Sequence, residues 1–206
     1  ACLNDASLDI IELLVTKNSD SLKIRNAKGD QALHLACKAK APLKVIKYLI
    51  AEYPKAMTTN NRNGNLPVHI ACGNKAGFKT IQYLVRKNTE SLKRSTDDGM
   101  ICLHVACQVK ASLKIIQFLV EQDPSSIQQT TNDGRLPLHI ACDKQLHLDT
   151  IQFLVHANPE SVRQKDNEER TPLDNAKRGA DDDEREPDEE VVEWLEQVAA
   201  GEISNE

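Results

Sequence analysis

The chain has 206 residues with 26 Lys and Arg against 31 Asp and Glu, a net charge of −5 and a pI near 5.7, so it lacks the clustered basic footprint of a nucleic-acid binder. Aromatic residues make up only 3%, with Trp194 the single tryptophan, which excludes a core of large rings and leaves packing to Leu, Ile, Val, Ala and Cys. No run is long and apolar enough to span a bilayer and no charged-then-apolar leader opens the chain, so we expect no membrane insertion and an intracellular, cytoplasmic location with reduced thiols.

Charge is unevenly spread. Residues 1–173 hold 23 Lys and Arg against 18 Asp and Glu, whereas 174–206 hold 3 against 13. A mildly basic body is followed by a strongly acidic end.

In chain order, Ala1-Cys2 falls on the same phase as Ala36-Cys37, and Leu8 to Val15 matches Leu43 to Ile50, so the chain opens in the middle of a unit. The phasing predicts a partial repeat over 1–33 and further repeats upstream. Leu-His-Leu-Ala-Cys and its variants then recur with His34, His69, His104 and His139 each 35 residues apart, giving four full repeats over 34–173. An interval this short marks stacked copies of one small unit, none of which buries its apolar face alone. Within a copy, Asn132-Asp133-Gly134 signals a turn, Pro137 opens a short helix through Cys142, and Leu148, Ile151, Phe153, Leu154 and Val155 form the stripe of a second helix that stops at Asn158-Pro159. Leu43, Ile46, Tyr48 and Leu49, with their counterparts at Phe78, Ile81, Tyr83 and Leu84 and at Leu113, Ile116, Phe118 and Leu119, are the expected core.

Gly29, Gly64, Gly99 and Gly134 mark the turn before each helix pair, and Glu169 stands there in the last copy, whose turn we expect to be distorted or mobile. Residues 174–206 read as a degenerate, acidic capping repeat and tail. Asp174 replaces the histidine, Lys177 replaces the cysteine, Asp181, Asp182, Asp183, Glu184 and Glu186 form an acidic insertion, Pro187 begins the last helix, and Val192, Trp194 and Leu195 supply its apolar face.

Leu136-Pro137-Leu138-His139-Ile140-Ala141 and its equivalents, preceded by a glycine turn and followed by a second helix, resemble the signature of ankyrin-repeat proteins, in a long 35-residue form. The resemblance covers nearly the whole chain. It implies an all-α solenoid of stacked helix-turn-helix units with protruding turns or β-hairpin fingers, and a histidine that hydrogen-bonds the backbone of a neighbouring turn. Gln31, Leu66, Ile101 and Leu136 occupy the slot where the family places threonine, and only Thr171 conforms, so helix capping by side chain is weakened in most copies.

His-x-x-Cys recurs at His34/Cys37, His69/Cys72, His104/Cys107 and His139/Cys142. Zinc needs four ligands at about 2.0–2.3 Å, while copies on stacked helices sit about 8–10 Å apart, so no metal site and no cofactor is expected. The same separation exceeds the reach of a disulfide, about 7 Å between Cα atoms, so Cys2 and its in-phase partners read as packing residues. Apolar surroundings raise a thiol pKa, which argues against catalysis.

The remaining function is binding. The resemblance places turn tips and first helices on a concave face. The candidate contacts there are Lys28, Lys38, Lys40, Arg62, Asn63, Lys75, Asp97, Asp98, Gln108, Lys110, Asn132, Asp133, Arg135 and Lys144. The lysines of this set suit another protein or an acidic peptide. We expect a non-catalytic interaction module or scaffold, monomeric by itself. The alternative is a structural spacer in a larger assembly, or a regulatory array attached to an upstream domain, held through Lys44, Lys79, Lys114 and residues 1–15.

Overall fold

The computed structural model describes residues 7–178 and 186–202. The expectations that concern Cys2 and the acidic residues Asp181, Asp182, Asp183 and Glu184 lie outside them. The chain divides into two compact units, Ala1–Asp98 and Gly99–Glu206. Secondary structure among the described residues is helical, and the fingers are bare turns without strands.

In the first unit the helices are α1 (Leu8–Lys17), α2 (Ala32–Lys38), α3 (Leu43–Glu52), α4 (Pro67–Gly73) and α5 (Phe78–Lys87). In the second they are α6 (Cys102–Gln108), α7 (Leu113–Gln122), α8 (Pro137–Asp143), α9 (Leu148–Ala157), α10 (Pro172–Arg178) and α11 (Glu189–Ala200). Short inner helices alternate with longer outer ones. Inner α2 packs on α4, and α8 is packed between α6 and α10; each outer helix lies against the inner helix that precedes it.

The inner helices α2, α4, α6 and α8 stop in the same way. Lys40 donates its N–H to Cys37 O and Ala41 to Ala36 O, and the pattern returns at Lys75 and Ala76, Lys110 and Ala111, and Gln145 and Leu146. This is the paired closure of a helix C-terminus that normally places glycine in the left-handed position. Here Lys40, Lys75, Lys110 and Gln145 occupy it with φ of 54°, 53°, 52° and 51°. The lysines seen in the sequence near the end of the first helix are therefore turn residues.

Each described outer helix before α11 is followed by one turn of 3-10 helix, at Ser19–Lys23, Pro54–Thr58, Thr89–Lys93, Pro124–Gln128 and Pro159–Arg163. Proline opens some of these and Ser19 or Thr89 the others, so proline is not what ends the outer helix. The common feature is an extended residue before the 3-10 turn, such as Asn88 at φ −152° or Asp123 at φ −143°.

Along the outer helices the buried set is shifted from the expected one. Ile46, Leu49, Ile81, Leu84, Ile116, Leu119, Ile151 and Leu154 are buried as anticipated, joined by Val45, Thr80, Ile115 and Thr150. Leu43, Phe78, Leu113, Tyr48 and Tyr83 are only half-buried, whereas Phe118, at the slot of the two tyrosines, is buried. In α11, Val191, Leu195 and Val198 are buried and Val192 is not, while Asp188 caps the helix by accepting the Val191 N–H at 3.3 Å. Pro187 thus lies before the cap, outside the first turn. Glu189, Glu190, Glu193 and Glu196 are exposed.

Helix α1 differs from its in-phase successors. Ile10 and Leu14 are each 50% exposed where Val45 and Leu49, one repeat later, are 1% exposed. Leu14, with Ile11, Leu22, Ile24 and Leu35, lines an open cavity of about 300 Å³. No inner helix among the described residues covers this end, which separates the energetics of chemically identical substitutions. Leu49→Ala should cost about 2–5 kcal/mol, and Leu14→Ala less than about 1 kcal/mol, as read from urea unfolding midpoints. A left-handed non-glycine residue costs about 1–2 kcal/mol, more than the roughly 0.4–1 kcal/mol that glycine adds to unfolded-chain entropy. Lys75→Gly is therefore expected to raise stability by about 0.5–1 kcal/mol in the same measurement.

Candidate functional site

The turn tips hold the candidate contacts, and their shape follows from a first-position side chain. Asn26 Oδ1 accepts the N–H groups of Lys28 and Asp30 at 2.8 and 3.0 Å, Asn61 Oδ1 those of Asn63 and Asn65 at 3.0 Å, and Asp166 Oδ1 those of Glu168 and Arg170 at 2.9 and 3.0 Å. Thr131 Oγ1 accepts from Arg135 at 3.2 Å. Such side chains mimic a backbone turn and lock it.

The second position of each turn reaches back to the turn before. Arg62 N–H donates to Lys28 O at 3.0 Å and Asp97 N–H to Asn63 O at 3.2 Å, while in the second unit Asn167 N–H donates to Asp133 O at 3.0 Å. This contact explains the glycines. A Cβ on Gly29 would lie 2.8 Å from Arg62 N, on Gly64 2.6 Å from Asp97 N, and on Gly99 2.6 Å from Asn132 N. Glu169 takes the same left-handed turn, φ 61°, with Asp166 N–H donating to Arg170 O at 2.9 Å, so the expected distortion is absent. No further turn of this kind follows it among the described residues, so its Cβ obstructs nothing.

Third-position side chains Lys28, Asn63, Asp98 and Asp133 are exposed, as are Arg62, Asp97 and Asn132 at the second position. Lys38, Lys40 and Lys75 are exposed at the inner-helix ends of the first unit, and Gln108 and Lys110 at those of the second. Arg135 and Lys144 are partly buried instead. Both face Asp143 Oδ2, at 3.1 and 3.2 Å, and the Arg135 and Asp143 side chains are 21% and 18% exposed. Asp143 is not among the residues the sequence singles out, because Lys38 and Gln108 stand at its phase.

Beneath the tips lie the histidines, buried with 0–1% exposure. His34 Nδ1 accepts the Gln31 N–H at 3.2 Å and His69 Nδ1 the Leu66 N–H at 3.1 Å, and their Nε2 atoms lie 3.1 Å from Asn65 O and 2.9 Å from Arg94 O. In the second unit His104 joins Ile101 N–H to Arg135 O, and His139 joins Leu136 N–H to Gln164 O and Arg170 O. A nitrogen that faces an N–H must accept, so the ring is neutral with its proton on Nε2. Both ring nitrogens are engaged by backbone, which answers the zinc question with geometry. Leu66, Ile101 and Leu136 offer no acceptor, so their helices lack the forward arm of a cap and keep only this reverse one. Burial pushes the Cys37, Cys107 and Cys142 thiols upward and keeps them protonated, Cys107 to about 12. They act as small apolar groups.

Against this geometry, a family model described as ankyrin repeats in three copies matches residues 1–96, 75–166 and 103–196. The chain belongs to the ankyrin-repeat family. Solved structures agree on the fold. The complex of the Bd0816 predatory endopeptidase from Bdellovibrio bacteriovorus with immunity protein Bd3460 contains a similar chain with TM-score 0.74 and 21% identity, over 94% of this chain and 93% of that one. The ankyrin repeat domain of Bcl-3, a member of the IkappaB protein family, is similar with TM-score 0.69 and 21% identity, over 91% of this chain and 76% of that one. No curated protein matches in sequence. Ankyrin arrays are in general protein-interaction modules, and the described residues of this one contain no helix long and apolar enough to cross a membrane.

Burial lowers the pKa of His69 and His104 to about 4, from 6.5, and shifts His34 and His139 in the same direction. The unfolded chain therefore binds protons that this ankyrin fold refuses. Stability is fully present above pH 6.5 and falls as pH drops toward 4, by up to about 1.4 kcal/mol per pH unit for each histidine. Asp166 and Asp174, whose pKa values are held below the usual carboxylate range, affect stability only at lower pH. Urea midpoints at pH 7.5 and 5 should differ by several kcal/mol, a value built from about 1.4 kcal/mol per unit for each ring. Imidazole nitrogen shifts should show the Nε2–H tautomer at the upper pH.

Proposed function

We propose that this ankyrin-repeat protein is a non-catalytic module that holds another protein against its turn tips and inner-helix ends, the surface that lines the concave face in arrays of this kind. The observation that carries the reading is the division of labour within each turn. First-position side chains and glycines fix the backbone, and third-position side chains point outward, free to vary from Lys28 through Asn63 and Asp98 to Asp133. A rigid loop with changing tips recognises a partner at low entropic cost.

In the first unit, exposed Lys38, Lys40, Lys75 and Arg62 outnumber Asp97 and Asp98, which suits an acidic segment of the partner. In the second, Asp133 and Asn132 stand beside Gln108 and Lys110, and the charges of Arg135 and Lys144 are offset by Asp143. The cytoplasm is the compartment this reading requires, since buried thiols stay reduced there.

The test replaces Arg62, Asp98 and Asp133 together with alanine and leaves Arg135 intact, because its removal strands a partly buried Asp143 carboxylate. Urea midpoints should stay within about 0.5 kcal/mol of the parent, as for ordinary surface changes. Partners recovered by affinity purification and quantified by mass spectrometry should be lost. Undiminished recovery overturns the tip site, and cross-links mapping to Lys44, Lys79, Lys114 and residues 7–15 would favour a spacer role.

A further inference from the structure

The outer face of the first unit carries a feature that tip recognition does not use. Between α3 and α5 runs a groove of about 400 Å³ whose walls include Leu43, Lys47, Lys79, Tyr83, Arg86 and Lys87. Lys47 Nζ from α3 and Lys87 Nζ from α5 lie over the Tyr83 ring at 5.4 and 5.7 Å from its centroid. Attraction of an ammonium to the ring face keeps both cations over the groove. Lys79 and Arg86 line the groove with them. None of these cations is ion-paired among the described residues.

The in-phase positions of the second unit, on α7 and α9, read Leu113, Gln117, Asp149, Phe153, His156 and Ala157. The apolar and aromatic wall is kept there while the fixed positive charges are gone. The scaffold therefore does not require them, and like charges gathered around one groove cost energy unless something negative compensates.

We propose that the α3–α5 groove is a second docking site, taking an acidic peptide segment of a protein partner. An aliphatic residue of the segment seats against Leu43 and Tyr83, and Asp or Glu side chains on either side meet Lys47, Lys79, Arg86 and Lys87. The chemistry favours peptide over nucleic acid or membrane. The groove is walled by two helices with an apolar base, whereas a nucleic acid requires a basic stripe that tracks its backbone, and a lipid surface requires projecting apolar side chains on a basic amphipathic helix.

The experiment measures fluorescence anisotropy of a fluorescein-labelled peptide, Glu-Asp-Glu-Leu-Asp-Glu-Glu, with the full chain. Binding should weaken as salt rises. The combined variant Lys47→Gln, Arg86→His, Lys87→Ala installs residues that the second unit already carries at these positions, and it should bind about tenfold more weakly or worse. The Arg62, Asp98 and Asp133 variant should bind like the parent, which keeps this site distinguishable from the tips. Should the groove variant unfold, the reciprocal change Asp149→Lys, His156→Arg, Ala157→Lys is expected to create peptide binding in the second unit. Unchanged affinity in the groove variant, no gain in the reciprocal one, or tighter binding of a single-stranded oligonucleotide or phosphatidylserine vesicles than of the peptide overturns the proposal.

Discussion

The neutral imidazole is the constraint around which each repeat is built. One small ring satisfies the first backbone N–H of its own inner helix and, through Nε2–H, one or two carbonyls elsewhere in the fold. His139 shows the full set, with Leu136 on one side and Gln164 and Arg170 on the other. A buried donor or acceptor left unpaired costs about 1–3 kcal/mol; the ring spares the cap residue's N–H that cost, while the forward arm that leucine or isoleucine cannot supply stays unmade. The last inner helix inverts the logic. Thr171 N–H and Oγ1–H both donate to Asp174 Oδ2, at 2.8 and 2.7 Å, and the Asp174 N–H returns to Thr171 Oγ1 at 3.2 Å. A carboxylate only accepts, and it suffices where, among the described residues, no following turn presents a carbonyl to be met.

The turn glycines obey the same rule of neighbours. A left-handed backbone alone does not demand glycine, since Lys40, Lys75, Lys110, Gln145 and Glu169 all adopt it. What separates the glycines is the approach of the next turn's backbone to within the space of a methyl group. Two kinds of left-handed position therefore coexist in one repeat. The crowded one admits glycine only, and the open one tolerates lysine at a modest cost while holding its side chain at a defined place beside the inner helix.

Much of this was legible in the chain. A fixed interval of 35 residues and the helix pair follow from residues that recur in phase, and the histidine's service to the backbone from the resemblance to ankyrin repeats. Periodicity weakens where a residue acts through its exceptions. Asp143 is invisible as a partner because Lys38 and Gln108 stand at its phase, yet it draws Arg135 and Lys144 away from solvent. The 3-10 turns escape because their hydrogen bonds, such as Ser91 N–H to Asn88 O, leave no apolar period behind. The repeated slot places Tyr83 in the core. Its half-buried ring beneath two ammonium groups depends on Lys47, a residue from another helix, and sequence spacing carries no such information.

Positions held by packing and positions left free thus separate within a repeat, and most charge falls on the free ones, with Asp30, Asp123 and Asp166 as buried exceptions. In the first unit positive charge gathers at the inner-helix ends and again in the α3–α5 groove between outer helices. In the second unit Gln117, Asp149 and His156 neutralise the outer side, and Asp143 tempers the inner one. The complete repeats of both units retain the same buried Ile, Leu, Ala and Cys positions. Because burial fixes those positions and solvent screens the rest, a change of surface charge costs the fold little. One scaffold can therefore present differently charged faces from unit to unit.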